Sequence, residues 1–522
     1  MFMTLRLLTT SCALALIAGT AAADYTLHII HTNDLHSRIE PISAFDSTCG
    51  AEANAAGECF GGVARVITQI NALRDELAGQ NVIVVDAGDQ YQGSLMYTTY
   101  KGDVEAEFMN VIGYDVMAVG NHEFDDGDAG LRKLTDLVSF PVISGNIDVS
   151  GSNILAGQVE NHIVLEVGGQ RIGIISALAS DTVETSSPSD AVIFAPEVAS
   201  LSADAAALQG EGVTKIIALT HVGLSKDMEI AAAVDGIDAI VGGHSHTLMS
   251  NTADGALAYP TMVGTVPVVQ AYAYSKYVGH LTLVFDEAGN VISATGDTIL
   301  LDASVAEDEV AVARIAELAG PIEEMKTRIV AETAAAIDGD RTVCRAMECP
   351  MGSLIADAML DRVRDQGVQI AIQNGGGIRA SIDAGEVTMG EVLGVLPFQN
   401  TLSTFEVTGE TLLQALENGV GQIEEGAGRF PQVAGMTFTV NSAAPAGERV
   451  SDVMVGDAPL DPAMVYAVVS NNYVRNGGDG YAMFEDAANA YDFGPDLADV
   501  LAEYMAAQGI FTPYTDGRIT VN

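Results

Sequence analysis

Positive charge is what this sequence has least of: 23 lysines and arginines stand against 70 aspartates and glutamates, a net charge of −47. So acidic a surface repels nucleic acid and anionic membranes, and neither is an expected partner. It also suits a protein kept soluble in a saline medium. An anionic substrate can dock only where local positive charge overcomes the global field, and few residues exist to supply it.

Cysteine is scarce as well, at five. Cys12 lies in the N-terminal segment, and the other four form two close pairs, Cys49 with Cys59 and Cys344 with Cys349. Neither pair has C-x-x-C spacing, which disfavours a four-sulfur zinc site against two short-range disulfides of an exported protein. Beyond the first residues no apolar run is long enough to span a bilayer. There is no lipidation signal. The absence of any Gly-Lys dipeptide excludes a P-loop, and the absence of G-x-S-x-G argues against a serine hydrolase. No repeat of solenoid length is present.

What is there begins with "MFMTLRLLTTSCALALIAGTAAADYT". Arg6, a short apolar middle and small residues before Asp24 predict a signal peptide over 1–23, hence a periplasmic or secreted protein. A membrane anchor fits less well, because the apolar stretch is short and ends in small residues. That segment carries one arginine and no acid, so its removal leaves a net charge of −48. With 522 residues, 48% hydrophobic and 18% charged, the chain is globular and too long for one ordinary core.

The first half repeats one arrangement. Short apolar runs, "TLHII", "NVIVV", "DVMAV", "VTKIIALT" and "IDAIV", each end in polar residues. Between them "GVARVITQINALRDEL" and "GDVEAEFMNVIG" show helical spacing, and "NHIVLEVGGQRIGIISAL" reads as a hairpin. Continuous apolar strands alternating with helices predict a layered α/β domain with mixed sheets. From about residue 303 an acidic helical stretch follows, with Pro321 suited to opening a second helix. A second domain then has its own helices, "GSLIADAMLDRVRDQG" and "TGETLLQALENGVGQIEE", and strands, "VQIAIQN" and "MVYAVVSNN".

Ligands bind where the strands of such sheets end. The five strand ends deliver Asp34 and His36, then Asp89, then Asn121 and His122, then His221, then His244 and His246. The set mixes oxygen and nitrogen without thiolate, which suits zinc, manganese, iron or cobalt more than calcium or magnesium. Seven ligands exceed one tetrahedral ion and suit two ions about 3.5–4 Å apart.

"DLH", "GD", "GNHE", "H" and "GHSH", in that order, resemble the calcineurin-like metallophosphatases. With the second domain, the chain resembles the 5′-nucleotidase family, which includes periplasmic UDP-sugar hydrolases. The resemblance implies an α/β protein with a layered αββα metallophosphatase domain over 24–308, a helical hinge over 309–327 and an α/β substrate domain over 328–522. It implies two divalent ions, zinc, manganese or cobalt. Asp34, His36, Asp89 and His246 hold one; Asp89, Asn121, His221 and His244 hold the other. His246 either ligates or stands behind the ligands. His122 then hydrogen-bonds the phosphoryl oxygens, oriented by Asp125, while the ions activate water. Glu123 caps or packs locally.

Three Gly-rich stretches, "IQNGGGIRA", "GRFPQVAG" and "SNNYVRNGGDGYAMF", resemble the nucleotide site of the same family. By that resemblance Phe430 and Tyr473 stack on the two faces of a base and Asp479 binds the ribose hydroxyls. Arg345, Arg379 and Asn374 reach toward phosphate or ribose. Arg345 lies within the Cys344–Cys349 loop. The expected activity is hydrolysis of nucleoside 5′-monophosphates by a monomer or homodimer. UDP-sugars, 2′,3′-cyclic nucleotides and NAD are alternative substrates, and a periplasmic nucleotide-binding protein is the non-enzymatic alternative.

Overall fold

The computed structural model describes residues 24–44, 49–398, 400–491 and 495–522. The expected signal peptide, 1–23, lies outside the described residues. The apolar runs of the first half are strands, but they divide between two sheets. Tyr25–Thr32, Val82–Asp86 and Val116–Ala118 run parallel in one six-stranded sheet, which antiparallel strands Tyr277–Phe285 and Val291–Leu300 extend. Lys215–His221 and Ala239–Val241 run parallel in a second sheet of six, beside the hairpin His162–Val167 and Gln170–Leu178.

The sheets pack face to face. Ile29, Val85 and Ala118 from one share a core with Ile174, Ile217 and Val241 from the other, all at most 1% exposed. Each large side chain among them contributes about 1.5–3 kcal/mol by leaving water. Because strands are buried on both faces, their sequences are continuous apolar runs. Helices Val63–Glu76 and Asp103–Ile112 cover the outer face of the first sheet through Val66, Ile70, Phe108 and Met109.

Pro321 does not open a second helix. One helix runs Glu309–Thr327 with Pro321 inside it. The missing N–H costs one backbone hydrogen bond. Ala311, Ile315, Leu318, Ala319 and Ile322 offset that cost by entering the outer core of the first domain.

The second half is built on a five-stranded sheet, in the order Pro431–Ala434, Ile370–Asn374, Val465–Asn471, Leu402–Thr408, Ala488–Tyr491. Helix Pro350–Val363 packs on one face and Gly409–Val420 on the other. Both expected disulfides are formed, Cys49–Cys59 and Cys344–Cys349, which removes the four-sulfur zinc alternative. No helix among the described residues is long and apolar enough to cross a membrane.

Candidate active site

The loops at the carboxyl ends of five strands converge, and the two sheets contribute to one cluster. The amide of Asp34 donates to Gly88 O at 2.8 Å and that of His36 to Asp89 O at 3.0 Å, so the first two loops zip together. Glu123, wholly buried, accepts from the amides of Gly120, Asp89, Gln90 and Tyr91 at 2.7–3.3 Å. One carboxylate thereby fixes the loop that carries Asp89. The close approach requires Gly120, because a Cβ there would overlap the amide and Oδ1 of Asp89. Asp34, His36, Asp89, His244 and His246 all adopt left-handed backbone conformations, φ 49° to 74°. Such conformations cost of order 1 kcal/mol each and persist only where surrounding structure imposes them.

Ligand atoms of Asp34, His36 and His246 lie within 4.8 Å of one another, as do those of Asp89, His221 and His244; His36, Asp89 and His122 form a third such group. His246 Nε2 is 3.1 Å from Asp34 Oδ1 and 2.9 Å from His36 Nε2. His221 donates through Nδ1 to Ala87 O at 2.7 Å, which turns Nε2 to within 3.1 Å of Asp89 Oδ2 without the geometry of a hydrogen bond. Asn121 Oδ1 faces His244 Nδ1 at 2.9 Å.

These residues fit divalent ions. Burial, then Arg379, hold the His36 imidazole well below its usual pKa; burial, then Arg341, do the same for His246. The rings are therefore neutral, and lone pairs converge where a cation would take them. Burial, then the neighbouring Asp89, push the Asp34 carboxyl up to about 6, a penalty that a bound cation removes.

His122 Nδ1 is 2.6 Å from Asp125 Oδ2. Asp125 accepts in turn from Ser186 Oγ at 2.8 Å and Gln92 Nε2 at 3.2 Å. Burial opposes charge on His122, but Asp125 and then Asp89 outweigh it, so its pKa lies above the ordinary value. The exposed edge of this ring meets the second domain: Phe398 stacks on it with centroids 5.9 Å apart.

A cleft of about 1010 Å³ runs from this cluster into the second domain. Asn374, Arg345, Arg379, Tyr473 and Asp479 line it. Asn374 Nδ2 donates to Asp479 Oδ2 at 2.6 Å, and Tyr473 OH to Asp479 Oδ1 at 3.3 Å. Phe430 is the exception and corrects the expectation. Its ring is wholly buried in the core beneath the sheet, in one cluster with Leu412, Leu416 and Phe484, and does not reach the cleft. It precedes strand Pro431–Ala434, and its carbonyl is held by Gly375 N at 2.8 Å, which turns the side chain inward. The aromatic rings of Phe and Tyr that do line the cleft, among the described residues, are Phe398 and Tyr473.

Two family models match the two halves: "Calcineurin-like phosphoesterase" over residues 27–248 and "5'-nucleotidase, C-terminal domain" over 328–486. A human 5′-nucleotidase is 38% identical over 540 residues, covering 97% of this chain and 93% of its own. The chain belongs to the 5′-nucleotidase family. It is a hydrolase of the metal-dependent phosphoesterase class. The crystal structure of a 5′-nucleotidase precursor from Thermus thermophilus is similar at TM-score 0.89 and 37% identity, covering 95% of this chain and 99% of its own. An NAD nucleotidase from Haemophilus influenzae is similar at TM-score 0.59 and 28% identity, covering 96% and 100%.

Within this 5′-nucleotidase fold, sequence reasoning missed Arg341 and Phe398, which both line the cleft. It also missed Ser186, the second support of Asp125. Phe398 sits in "LPFQN" after an apolar helix and looks like an ordinary turn residue. Arg341 had one available signal: it lies three residues before Cys344 in a chain with few cations.

Proposed function

We propose that the chain is an exported dimetal phosphohydrolase that converts nucleoside 5′-monophosphates to nucleoside and phosphate. One observation carries the reading: the His, Asp and Asn cluster opens into the same cleft as Tyr473, Asn374 and Asp479. Asp34, His36, Asp89 and His246 would hold one divalent ion, and Asp89, Asn121, His221 and His244 a second. Bound there, such ions supply Lewis acidity and a nucleophile at neutral pH.

The chain's own residues do the rest. His122 donates a hydrogen bond to the phosphoryl oxygens as negative charge builds on them, and Asp125 keeps the ring charged and oriented. Arg345, Arg379 and Asn374 bind the phosphate and ribose side of the substrate. Tyr473 stacks on the base and Asp479 accepts from the ribose hydroxyls. Stacking tolerates different bases, so the range of nucleotides is broad. The domains are 24–308 and 328–522, joined by helix 309–327, and the second carries substrate to the first. The two disulfides support a periplasmic or secreted location.

The test is phosphate release from AMP, GMP, UMP, ATP, UDP-glucose, 2′,3′-cyclic AMP and NAD. Metal-stripped protein is used, with manganese, zinc or cobalt restored, beside His122→Ala. Metal-dependent release from several 5′-monophosphates, lost in the variant, is expected. Nucleotide binding without release from any of them overturns the reading.

A further inference from the structure

Arginines are scarce in this chain, and three of them, Arg341, Arg345 and Arg379, line one cleft. Two lysines of the same cleft are neutralised, Lys101 by Asp126 at 3.3 Å and Lys226 by Glu229 at 2.7 Å. The three guanidiniums have no carboxylate partner at ion-pair distance among the described residues. Arg341 Nη1, Arg345 Nε and Arg379 Nε are buried without any hydrogen-bond acceptor. A buried donor left unmatched is destabilising, and a charged one more so. The arrangement is suited to an anion that supplies the acceptors.

Their places differ. Arg379 lies on the metal-cluster side, with Nη2 3.4 Å from the His36 ring and its guanidinium over Phe398. Arg341 and Arg345 are one helical turn apart, joined by the Arg345 N to Arg341 O bond at 3.0 Å, so both reach the cleft from one face. Asp340 caps the turn by accepting from Thr342 N at 2.7 Å, and the Cys344–Cys349 disulfide closes it. Of the three arginines Arg341 acts most strongly on His246, while Arg345 is attracted by Asp479. The pair therefore spans the path from the metal cluster to the ribose-side carboxylate.

A monophosphate dianion set against the cluster is served by Arg379 and His122. It leaves the Arg341–Arg345 pair with more positive charge than one phosphoryl group consumes. The cleft, at about 1010 Å³, is at the upper end of sites that enclose a small ligand.

We propose that Arg341 determines specificity by binding, together with Arg345, the inner phosphoryl group of a nucleoside 5′-diphosphate whose terminal phosphoryl lies at the metal cluster. The inference rests on the phosphohydrolase reading above. Water bonds to the terminal phosphorus as its bond to the bridging oxygen breaks. The bridging oxygen leaves with the nucleoside monophosphate, inorganic phosphate is released, and the remaining proton passes to solvent.

The experiment compares Arg341→Met and Arg341→Lys with the native chain, using ADP and AMP. Two readouts are taken: kcat/KM with metal restored, and equilibrium binding to metal-stripped protein by calorimetry. Arg341→Met is expected to lower the ADP-over-AMP preference about ten-fold or more in both, since a charge-assisted contact is lost for ADP. Arg341→Lys recovers part of it. Equal losses for the two nucleotides, or none, overturn the proposal. Native protein that binds both nucleotides but releases phosphate from neither fails the phosphohydrolase reading instead, and the binding ratio still judges Arg341.

Discussion

The guanidinium of Arg379, from the second domain, stands 3.4 Å from both ring nitrogens of His36 in the first. A cation held against an imidazole is tolerable only while that imidazole is neutral, and burial followed by Arg379 keeps it so. Arg379→Met should raise KM for AMP about 10–100-fold, the loss of one charge-assisted hydrogen bond to phosphate. Metal content, read by elemental analysis, should hold. Loss of metal with KM unchanged would show that Arg379 serves the cluster and not the substrate.

The pH dependence follows from His122. Its pKa is raised because Asp125 and Asp89 outweigh burial. The charged ring is therefore present below that raised pKa and lost as pH climbs through it. Asp125→Asn removes the largest supporting charge, so the alkaline limb of kcat/KM should move to lower pH and the plateau should fall about 10²-fold. A limb that stays in place would mean another group titrates there.

Gly120 has no room for a side chain beside Asp89. Gly120→Ala should weaken metal retention about 10–100-fold, the usual cost of disturbing groups that orient ligands. Dialysis against a chelator followed by metal analysis reads this directly. Native-like retention would show that the loop carrying Asp89 shifts freely.

Phe430 and Tyr473 should separate cleanly. Tyr473→Ala should weaken nucleotide binding by about 1–3 kcal/mol, with little change in thermal midpoint, because its ring lines the cleft. Phe430→Ala removes a wholly buried ring and should destabilise by about 3–5 kcal/mol. Calorimetric binding and thermal unfolding on both variants check the pair. Stacking by Phe430 would appear instead as a large affinity loss at unchanged stability.

The Cys344–Cys349 loop spans a sequence separation of five. Loop-entropy arithmetic gives about 2 kcal/mol for so short a closure. Cys344→Ser with Cys349→Ser should lower the thermal midpoint of the chain and raise KM, since Arg345 sits inside the loop. A lower midpoint with KM unchanged would uncouple the loop from binding.

Five strand ends were legible because each apolar run stops at residues a turn does not need, such as Asn121 with His122. That these ends belong to two sheets was not legible. Pairing partners such as Ala239–Val241 and Lys215–His221 are chosen by the packing of whole faces, not by local sequence. The direction of Phe430 was hidden for a similar reason: a ring in a Gly-rich stretch points into the cleft or into the core according to how the next strand is held. Pro321 read as a helix start because propensity is local, whereas a buried apolar face kept the helix whole. The free charge of Arg341 is a missing neighbour, and no sequence displays a missing neighbour.

The cleft's arginines lie in a molecule with a net charge of −47, and the two fields have different reach. Screening lengths run from about 30 Å in 0.01 M salt to about 3 Å in 1 M. Dilute buffer therefore lets an approaching nucleotide meet the anionic exterior long before it meets the cationic interior. Added salt erases the long-range barrier first, because charges enclosed between two domains are the last to be screened. Capture of substrate should thus quicken with salt before it slows, the reverse of the trend for an enzyme that draws its substrate in from afar.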